Sequence, residues 1–220
     1  MKSRGFFQFH VSLLIILSLV FTGCTKTEKT YWENSQLKSV IHKKGKHYNG
    51  LATWYYADGI KQHECSYIND TLNGTSTRWY NNGNLHSIEN YKDNRLHGKV
   101  MGYDYNGNLI SEANYQRDTL DGRYREYYSS GKIKVDGKYV KGRFEGKWLY
   151  YDEDGSIAGM GEFVNGSGKQ RAWYKNGNLK RMVTYVDNRK HGTETWYKPD
   201  GEIEKVLVFD HGEQVVTENQ

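Results

Sequence analysis

Glycines and aromatic residues recur along the chain at a nearly fixed spacing. Glycines nine residues apart form seven pairs, and successive pairs are 24 residues apart except for one 22-residue step after Phe163. A period of this length indicates one supersecondary unit per repeat, stable only when stacked on its neighbours. The pairs are Gly50/Gly59, Gly74/Gly83, Gly98/Gly107, Gly122/Gly131, Gly146/Gly155, Gly168/Gly177 and Gly192/Gly201.

Each unit is predicted to be a β-hairpin. Asn, Asp or Ser precedes the second glycine of every pair, and these residues favour tight turns in which the glycine takes a positive φ. Pro199-Asp200-Gly201 favours a three-residue loop, because proline suits the first central position of a type I turn. Ser35 occupies the glycine position of an eighth, degenerate unit at the front. We therefore expect an all-β fold, an elongated antiparallel meander of about eight tandem 24-residue hairpins in a single twisted sheet.

The loop length also predicts which residues share a face. The residue four before the second glycine should lie opposite the residue two after it. The first position, which we call the aromatic ladder, comprises Tyr55, Trp79, Tyr103, Tyr127, Tyr151, Trp173 and Tyr197. Its partner column is aliphatic in six repeats, with Lys61 as the exception. A third column, eight residues after the glycine, is expected on the same face: Tyr67, Tyr91, Tyr115, Tyr139, Phe163, Tyr185 and Phe209.

A second aromatic set lies one residue out of phase with the ladder and should face the other side of the sheet. Two interpretations stay open. The set thickens a two-faced sheet and shields the hairpin ends, or it forms an aromatic and charged surface that binds a protein or a glycan. We call its members the second set: Trp54, Tyr56, Tyr80, Tyr128, Tyr150, Tyr174 and Trp196.

The beginning of the chain has a different pattern. Lys2 and Arg4 precede an apolar run over residues 11–21. This run is too short to cross about 30 Å of hydrocarbon and is typical of a secretion signal.

Phe21-Thr22-Gly23-Cys24 resembles the lipobox of bacterial lipoproteins. The resemblance implies cleavage after Gly23 and a lipid on Cys24, and the absence of aspartate after Cys24 implies the outer membrane. The predicted organisation is a signal peptide at 1–23, a lipid-anchored tether at 24–30, the hairpin array at 31–216 and a tail at 217–220.

Composition narrows the classes of function. Only 36% of residues are hydrophobic, and 19 tyrosines supply much of the apolar surface. The formal charge of +5 falls to +3 without Lys2 and Arg4, and this excess is spread along the repeats without a basic run, which argues against nucleic acid as the main partner. Cys65 lacks companion thiols and is expected to be a small residue packed on a strand.

The sequence carries no recognisable catalytic pattern. His97 and His191 occupy the same turn position in different repeats, so we expect the eight histidines to form no ligand cluster. Gly166-Ser-Gly168-Lys169 resembles only the end of a phosphate-binding loop, since Phe163 stands where the first glycine is required. We therefore predict no enzyme activity, no cofactor and no metal.

Residues 191–201, His-Gly-Thr-Glu-Thr-Trp-Tyr-Lys-Pro-Asp-Gly, resemble a MORN repeat, and the likeness extends over residues 31–216. The 24-residue period and the absence of Tyr-x-Gly after the Asp-Gly turn resemble the bacterial MORN variant of YwqK-type toxin–antitoxin antitoxins. That resemblance implies binding to a partner protein.

The sequence thus favours a non-catalytic lipoprotein of the cell envelope. Its predicted role is a repeat scaffold for protein–protein interaction, with an unidentified envelope protein as partner and membrane contact through the lipid. The alternative is a module that binds a glycan or peptidoglycan through exposed aromatic rows.

Overall fold

The computed structural model describes residues 25–215, and all the regular structure in this range is β-strand. The strands are β1 (Thr25–Tyr31), β2 (Leu37–Lys44), β3 (His47–Tyr55), β4 (Lys61–Ile68), β5 (Thr71–Trp79), β6 (Leu85–Lys92), β7 (Arg95–Leu96), β8 (Gly98–Tyr103), β9 (Leu109–Gln116), β10 (Thr119–Tyr127), β11 (Ile133–Val140), β12 (Arg143–Tyr151), β13 (Ile157–Val164), β14 (Ser167–Trp173), β15 (Leu179–Val186), β16 (Arg189–Tyr197), β17 (Ile203–Asp210) and β18 (Glu213–Val215).

The strands form one antiparallel meander, as the repeat pattern predicts. Each strand pairs with the next along the chain, and β7 and β8 together take the place of one strand beside β6. We call β1–β2 the front hairpin. Its first strand covers residues 25–30, which were predicted to be a tether, so the hairpin array begins earlier in the chain than predicted. Hairpins 1 to 7 are β3–β4, β5–β6, β8–β9, β10–β11, β12–β13, β14–β15 and β16–β17.

The loop inside each hairpin has the predicted three-residue geometry, and we call it the glycine loop. In hairpin 7, the Lys198 N–H donates to the Glu202 carbonyl at 2.8 Å, and the Gly201 N–H donates to the Lys198 carbonyl at 2.9 Å. The φ of Gly201 is 96°. In the front hairpin Ser35 adopts this left-handed conformation, with a φ of 66°, although it carries a side chain.

Successive hairpins are joined by two-residue return turns at the opposite edge of the sheet. In every return turn from Asn69-Asp70 onward both residues have positive φ, for example 53° at Asp93 and 63° at Asn94, which is typical of type I′ turns. In most of the strand pairs that a return turn joins, the register shifts a few residues beyond the turn. The β13–β14 pair has none, and this missing bulge accounts for the 22-residue step in the sequence.

A second bulge, beside each glycine loop, overturns one predicted facing. Tyr55 pairs with Lys61, as expected, but Trp54 pairs with His63, so Gln62 is an extra residue. An extra residue inverts the alternation of side chains beyond it. The third column, from Tyr67 to Phe209, therefore lies on the face opposite the aromatic ladder.

Burial distinguishes the two faces sharply. We call the face that carries Ala52 and Cys65 the inner face and the face that carries the aromatic ladder the outer face. Of the fourteen buried side chains between residues 25 and 215, only Thr53 and Thr195 lie on the outer face. Since no second layer covers the sheet within residues 25–215, the inner face is buried by the curvature of the sheet and by its own side chains.

Candidate functional surfaces

Four tyrosines of the second set connect neighbouring hairpins. Each lies three residues before the second glycine of its repeat and donates its hydroxyl to the carbonyl of a ladder residue in the next hairpin. The donor–acceptor distances are 2.9 Å for Tyr56 and Tyr80, 2.7 Å for Tyr128 and 2.8 Å for Tyr174. Trp32 makes the equivalent contact from the front hairpin, donating Nε1 to the Tyr55 carbonyl at 3.1 Å. These side chains stabilise the stacking of repeats.

The other three members of the second set lie on the inner face. Trp54 stacks on His63 with 5.2 Å between ring centroids. Tyr150 packs against the buried cluster around Val135, where burial raises the pKa of its hydroxyl. Trp196 has two cations over its ring, Arg181 at 5.2 Å and Lys205 at 5.0 Å. The predicted surface is thus divided between two places, and all its members are only partly accessible.

The aromatic ladder lies on the outer face and is half-buried along its length. The predicted cross-strand pairs are present, from Tyr55 opposite Lys61 to Tyr197 opposite Ile203. One ladder ring also receives a cation, because Lys61 Nζ lies 5.4 Å from the centroid of Trp79. The ladder is therefore part of an accessible face, not the centre of the core.

Charged side chains occupy the middle of the outer face. Glu112 pairs with Lys99 and lies 3.6 Å from Arg125, which in turn lies 3.4 Å from Asp136. Burial alone would raise the pKa of Glu112, but hydrogen bonds from Lys99 and Tyr127 and the nearby positive charges lower it on balance. The Glu112 carboxylate is held ionised by its partners, which suits a structural network.

An apolar strip on the outer face was not identified from the sequence. Leu149 pairs with Met160, Met160 with Arg171, and Arg171 with Met182, so these side chains form a continuous row over hairpins 5 and 6. Neighbouring ladder pairs widen the row, and Ile157 is 54% exposed. Counting alternate residues through the loop bulge would have revealed the strip. We define the methionine strip as Leu149, Ile157, Met160, Trp173, Leu179 and Met182.

Two recesses of similar composition open near the glycine loops. One, of about 460 Å³, is lined by Trp54, His63, Arg78, Trp79 and Tyr80 among others. Burial and the charge of Arg78 lower the pKa of His63 there.

The second recess, of about 310 Å³, is lined by residues that include Trp173, Tyr174, Lys180, Arg181 and Trp196. Both recesses combine tryptophan and tyrosine rings with a guanidinium group. Such a combination can stack against a flat ligand or receive an anionic group.

One prediction about the histidines is wrong. His97 and His191 do lie in different repeats, but His191 is brought next to Asp210 and His211 at the end of the array. His191 Nδ1 lies 3.3 Å from Asp210 Oδ1, and His211 Nδ1 lies 2.6 Å from the same oxygen. Comparing only equivalent positions of different repeats misses this contact, because it joins β16 to the return turn twenty residues later.

The single free cysteine of the described range has the predicted packing role. Cys65 is fully buried on the inner face, opposite Ala52 and Ser76, and burial raises the pKa of its thiol. Cys24 and the signal segment predicted at 1–23 lie outside the described residues.

The family comparison agrees with the repeat boundaries. The model of the MORN repeat variant matches seven segments, residues 48–69, 72–93, 96–117, 120–141, 144–165, 167–187 and 190–211. Each segment contains one glycine pair and corresponds to one hairpin. A search of curated proteins found no match. Between residues 25 and 215 there is no helix long and apolar enough to span a bilayer. Since the matched segments make up more than half of the chain, the protein belongs to the MORN repeat variant family.

Proposed function

We propose that this protein is a non-catalytic, lipid-anchored scaffold that binds a partner protein through the methionine strip. Tandem MORN repeats are consistent with a scaffold for protein or membrane interaction. The lipid on Cys24 would fix the array to the envelope, and the repeats would present the strip to the partner.

The observation that carries this proposal is the position of the methionine strip on the outer face, where Ile157 is exposed and the other members are partly accessible. Flexible methionine side chains adapt to partner surfaces, and contiguous apolar patches on a soluble face mark interaction sites. Arg171 lies in the middle of the strip, between Met160 and Met182, and none of the carboxylates described in residues 25–215 forms an ion pair with it. The partner surface that fits best is apolar, with an acidic group placed against Arg171.

A paired substitution tests the assigned surface. Changing Met160 and Met182 to Asp should abolish co-purification of the crosslinked envelope partner, because central apolar contacts of an interface contribute about 2 kcal/mol or more each. Thr77→Asp is the matched control, since Thr77 lies on the outer face in hairpin 2. Unchanged partner recovery by the double variant, with an unchanged circular dichroism spectrum, would exclude the strip as the binding site.

The lipid anchor has its own test. Replacing Cys24 with Ser should block processing and release the protein from membranes, because no acyl chain can then be attached. A variant that matures normally and stays in the membrane fraction would contradict the lipoprotein proposal.

The two aromatic recesses favour glycan binding as the second candidate function. In this case, changing Trp54 and Trp196 to Ala should abolish retention on peptidoglycan or polysaccharide while protein crosslinking persists. Specific sugar retention by the wild type, without any crosslinked protein, would favour the glycan function over the scaffold.

The YwqK-type resemblance suggests a narrower version of the scaffold, in which the partner is a toxin. Co-expression with a small neighbouring open reading frame tests this version. If the wild-type protein rescues growth and the Met160→Asp, Met182→Asp variant does not, the result would support a toxin partner. If the neighbouring reading frame is not toxic, the toxin version is excluded, and the scaffold proposal is unaffected.

A further inference from the structure

The last hairpin brings two imidazoles and a carboxylate together. His191 lies in β16, Asp210 is the last residue of β17, and His211 is the first residue of the return turn that follows. One ligand atom from each residue lies within 4.8 Å of the other two. We propose that His191, Asp210 and His211 bind one divalent transition-metal ion of the zinc class.

The distances suit such an ion after small side-chain rotations. Zinc binds imidazole nitrogen and carboxylate oxygen at about 2.0 to 2.2 Å in tetrahedral geometry, which separates the ligand atoms by about 3.3 Å. The separation of His191 Nδ1 from Asp210 Oδ1 is 3.3 Å, and that of His211 Nδ1 from the same oxygen is 2.6 Å. Because the His211 side chain is 61% exposed, its ring is free to rotate outward. Water can complete the coordination at this open site.

Comparison with the other repeats shows which part of this arrangement comes from the backbone and which part comes from the side chains. At equivalent positions, the N–H of the first turn residue donates to a side chain twenty residues earlier, from Asn69 to Asn49 and from Asn165 to Glu145. In hairpin 7 the same contact joins the His211 N–H to His191 Nδ1 at 3.4 Å. The fold therefore places these two positions together in several repeats, and hairpin 7 provides both with imidazoles.

The third repeat supplies an internal control. His97 occupies the position of His191, but Arg117 stands at the position of His211. A guanidinium cannot act as a ligand and repels a cation. His97 should therefore bind no ion.

The neighbouring charges do not occupy the proposed site. Lys190 Nζ is engaged by Glu194 at 2.6 Å, and Glu213 pairs with Asp210 in the β17–β18 ladder, adding negative charge. Arg189, at the start of β16, lies against Gly212 of the turn through its aliphatic carbons. An ion at this position would connect β16 to the turn after β17 and would stabilise the open end of the array.

Zinc binding to the full-length chain tests the proposal. Isothermal titration with zinc chloride should show one ion per chain, and zinc should raise the midpoint of thermal unfolding because it binds only the folded state. Magnesium at the same concentration should leave the midpoint unchanged, because it prefers oxygen ligands. Absence of zinc binding, or several ions bound without change in the midpoint, would overturn the proposal.

Matched variants locate the ion. His211→Asn introduces the residue that hairpins 1 and 5 carry at this position, so the turn should be preserved while zinc affinity falls by more than about 10-fold, the loss expected even for an outer-shell partner. Asp210→Asn allows a second measurement of the loss of zinc affinity if His211→Asn folds poorly. His97→Asn should retain the wild-type affinity. Equal zinc affinity in wild type and both site variants would show that the ion binds elsewhere.

Discussion

The inner face is filled in two different ways in the two halves of the array. In hairpins 1 and 2 the most buried positions carry small side chains, Ala52 at 1%, Cys65 at 0% and Ser76 at 1% exposure. In hairpins 4 and 5 the equivalent row carries Trp148, which is only 3% exposed, between two glycines. The backbone pattern is the same in both halves. The halves differ in how side-chain volume is distributed over the inner face.

The glycines explain how the large rings fit. Trp148 is flanked by Gly137 on β11 and Gly161 on β13. A Cβ on Gly137 would lie 2.2 Å from a Trp148 ring carbon, and a Cβ on Gly161 would lie 2.3 Å from Phe163. Interiors are packed closely enough that such an overlap requires movement. The comparison shows that one strand can carry a large ring when its neighbour has no side chain.

The largest expected loss of stability should differ between the two halves of the array. Trp148→Ala should destabilise the protein by about 3 to 5 kcal/mol, the usual range for removing a large buried aromatic side chain. Ser76→Ala in the first half should cost about 1 kcal/mol, mainly through its hydrogen bond with His63. Urea unfolding followed by circular dichroism measures both, and similar losses would contradict the different packing of the two halves.

The next largest expected loss of stability tests whether the glycines beside the large rings are needed for packing. Gly137→Ala should cost about 1 to 3 kcal/mol because the new methyl group overlaps Trp148. Gly102→Ala is the matched control in hairpin 3, since its Cβ would meet chiefly the Ser111 hydroxyl, which can rotate, and the change should stay within about 0.5 kcal/mol. A Gly137→Ala variant as stable as the control would mean that the two glycines are not needed for ring packing.

A third change should affect both halves equally. Tyr80→Phe and Tyr128→Phe each remove a hydroxyl that donates to the next hairpin, at a cost of about 1 kcal/mol. Tyr105→Phe is the control, because its exposed hydroxyl donates to the exposed Asn81. Hydrogen exchange of the next hairpin should increase in the first two variants. Unequal losses at the two sites would show that the connection depends on the local core.

The smallest effect concerns pH. The pKa of His63 is lowered in the folded protein by burial and by Arg78. The stability that neutral His63 contributes is therefore fully present above the unfolded pKa near 6.5 and is lost as pH falls through the folded pKa. Amide protection in hairpins 1 and 2 should therefore decrease on acidification more than in hairpins 4 and 5. His63→Gln should remove this difference, and persistence of the full difference in that variant would assign it to another group.

The sequence predicted the backbone of the fold well. Turn chemistry is local, so the glycine pairs were enough to place each loop, the shortened connection after Phe163 and the pairing of Tyr55 with Lys61. Ser35 in the place of a glycine located the loop of the front hairpin, but its first strand, β1, was predicted to be a tether. The fold class and repeat boundaries could be predicted because each hairpin repeats the same short-range signal.

The facing of the side chains depended on the tertiary structure. Gln62 and its equivalents are extra residues in the ladder, and each one inverts the alternation that the sequence pattern assumes. Tyr67 and Phe163 thus moved to the buried inner face, and the methionine strip emerged on the outer face. The sequence by itself determined the hairpins and their order. Only the folded sheet decided which face is buried and which residues meet, because bulges, curvature and contacts such as His191 with His211 depend on strands that are already paired.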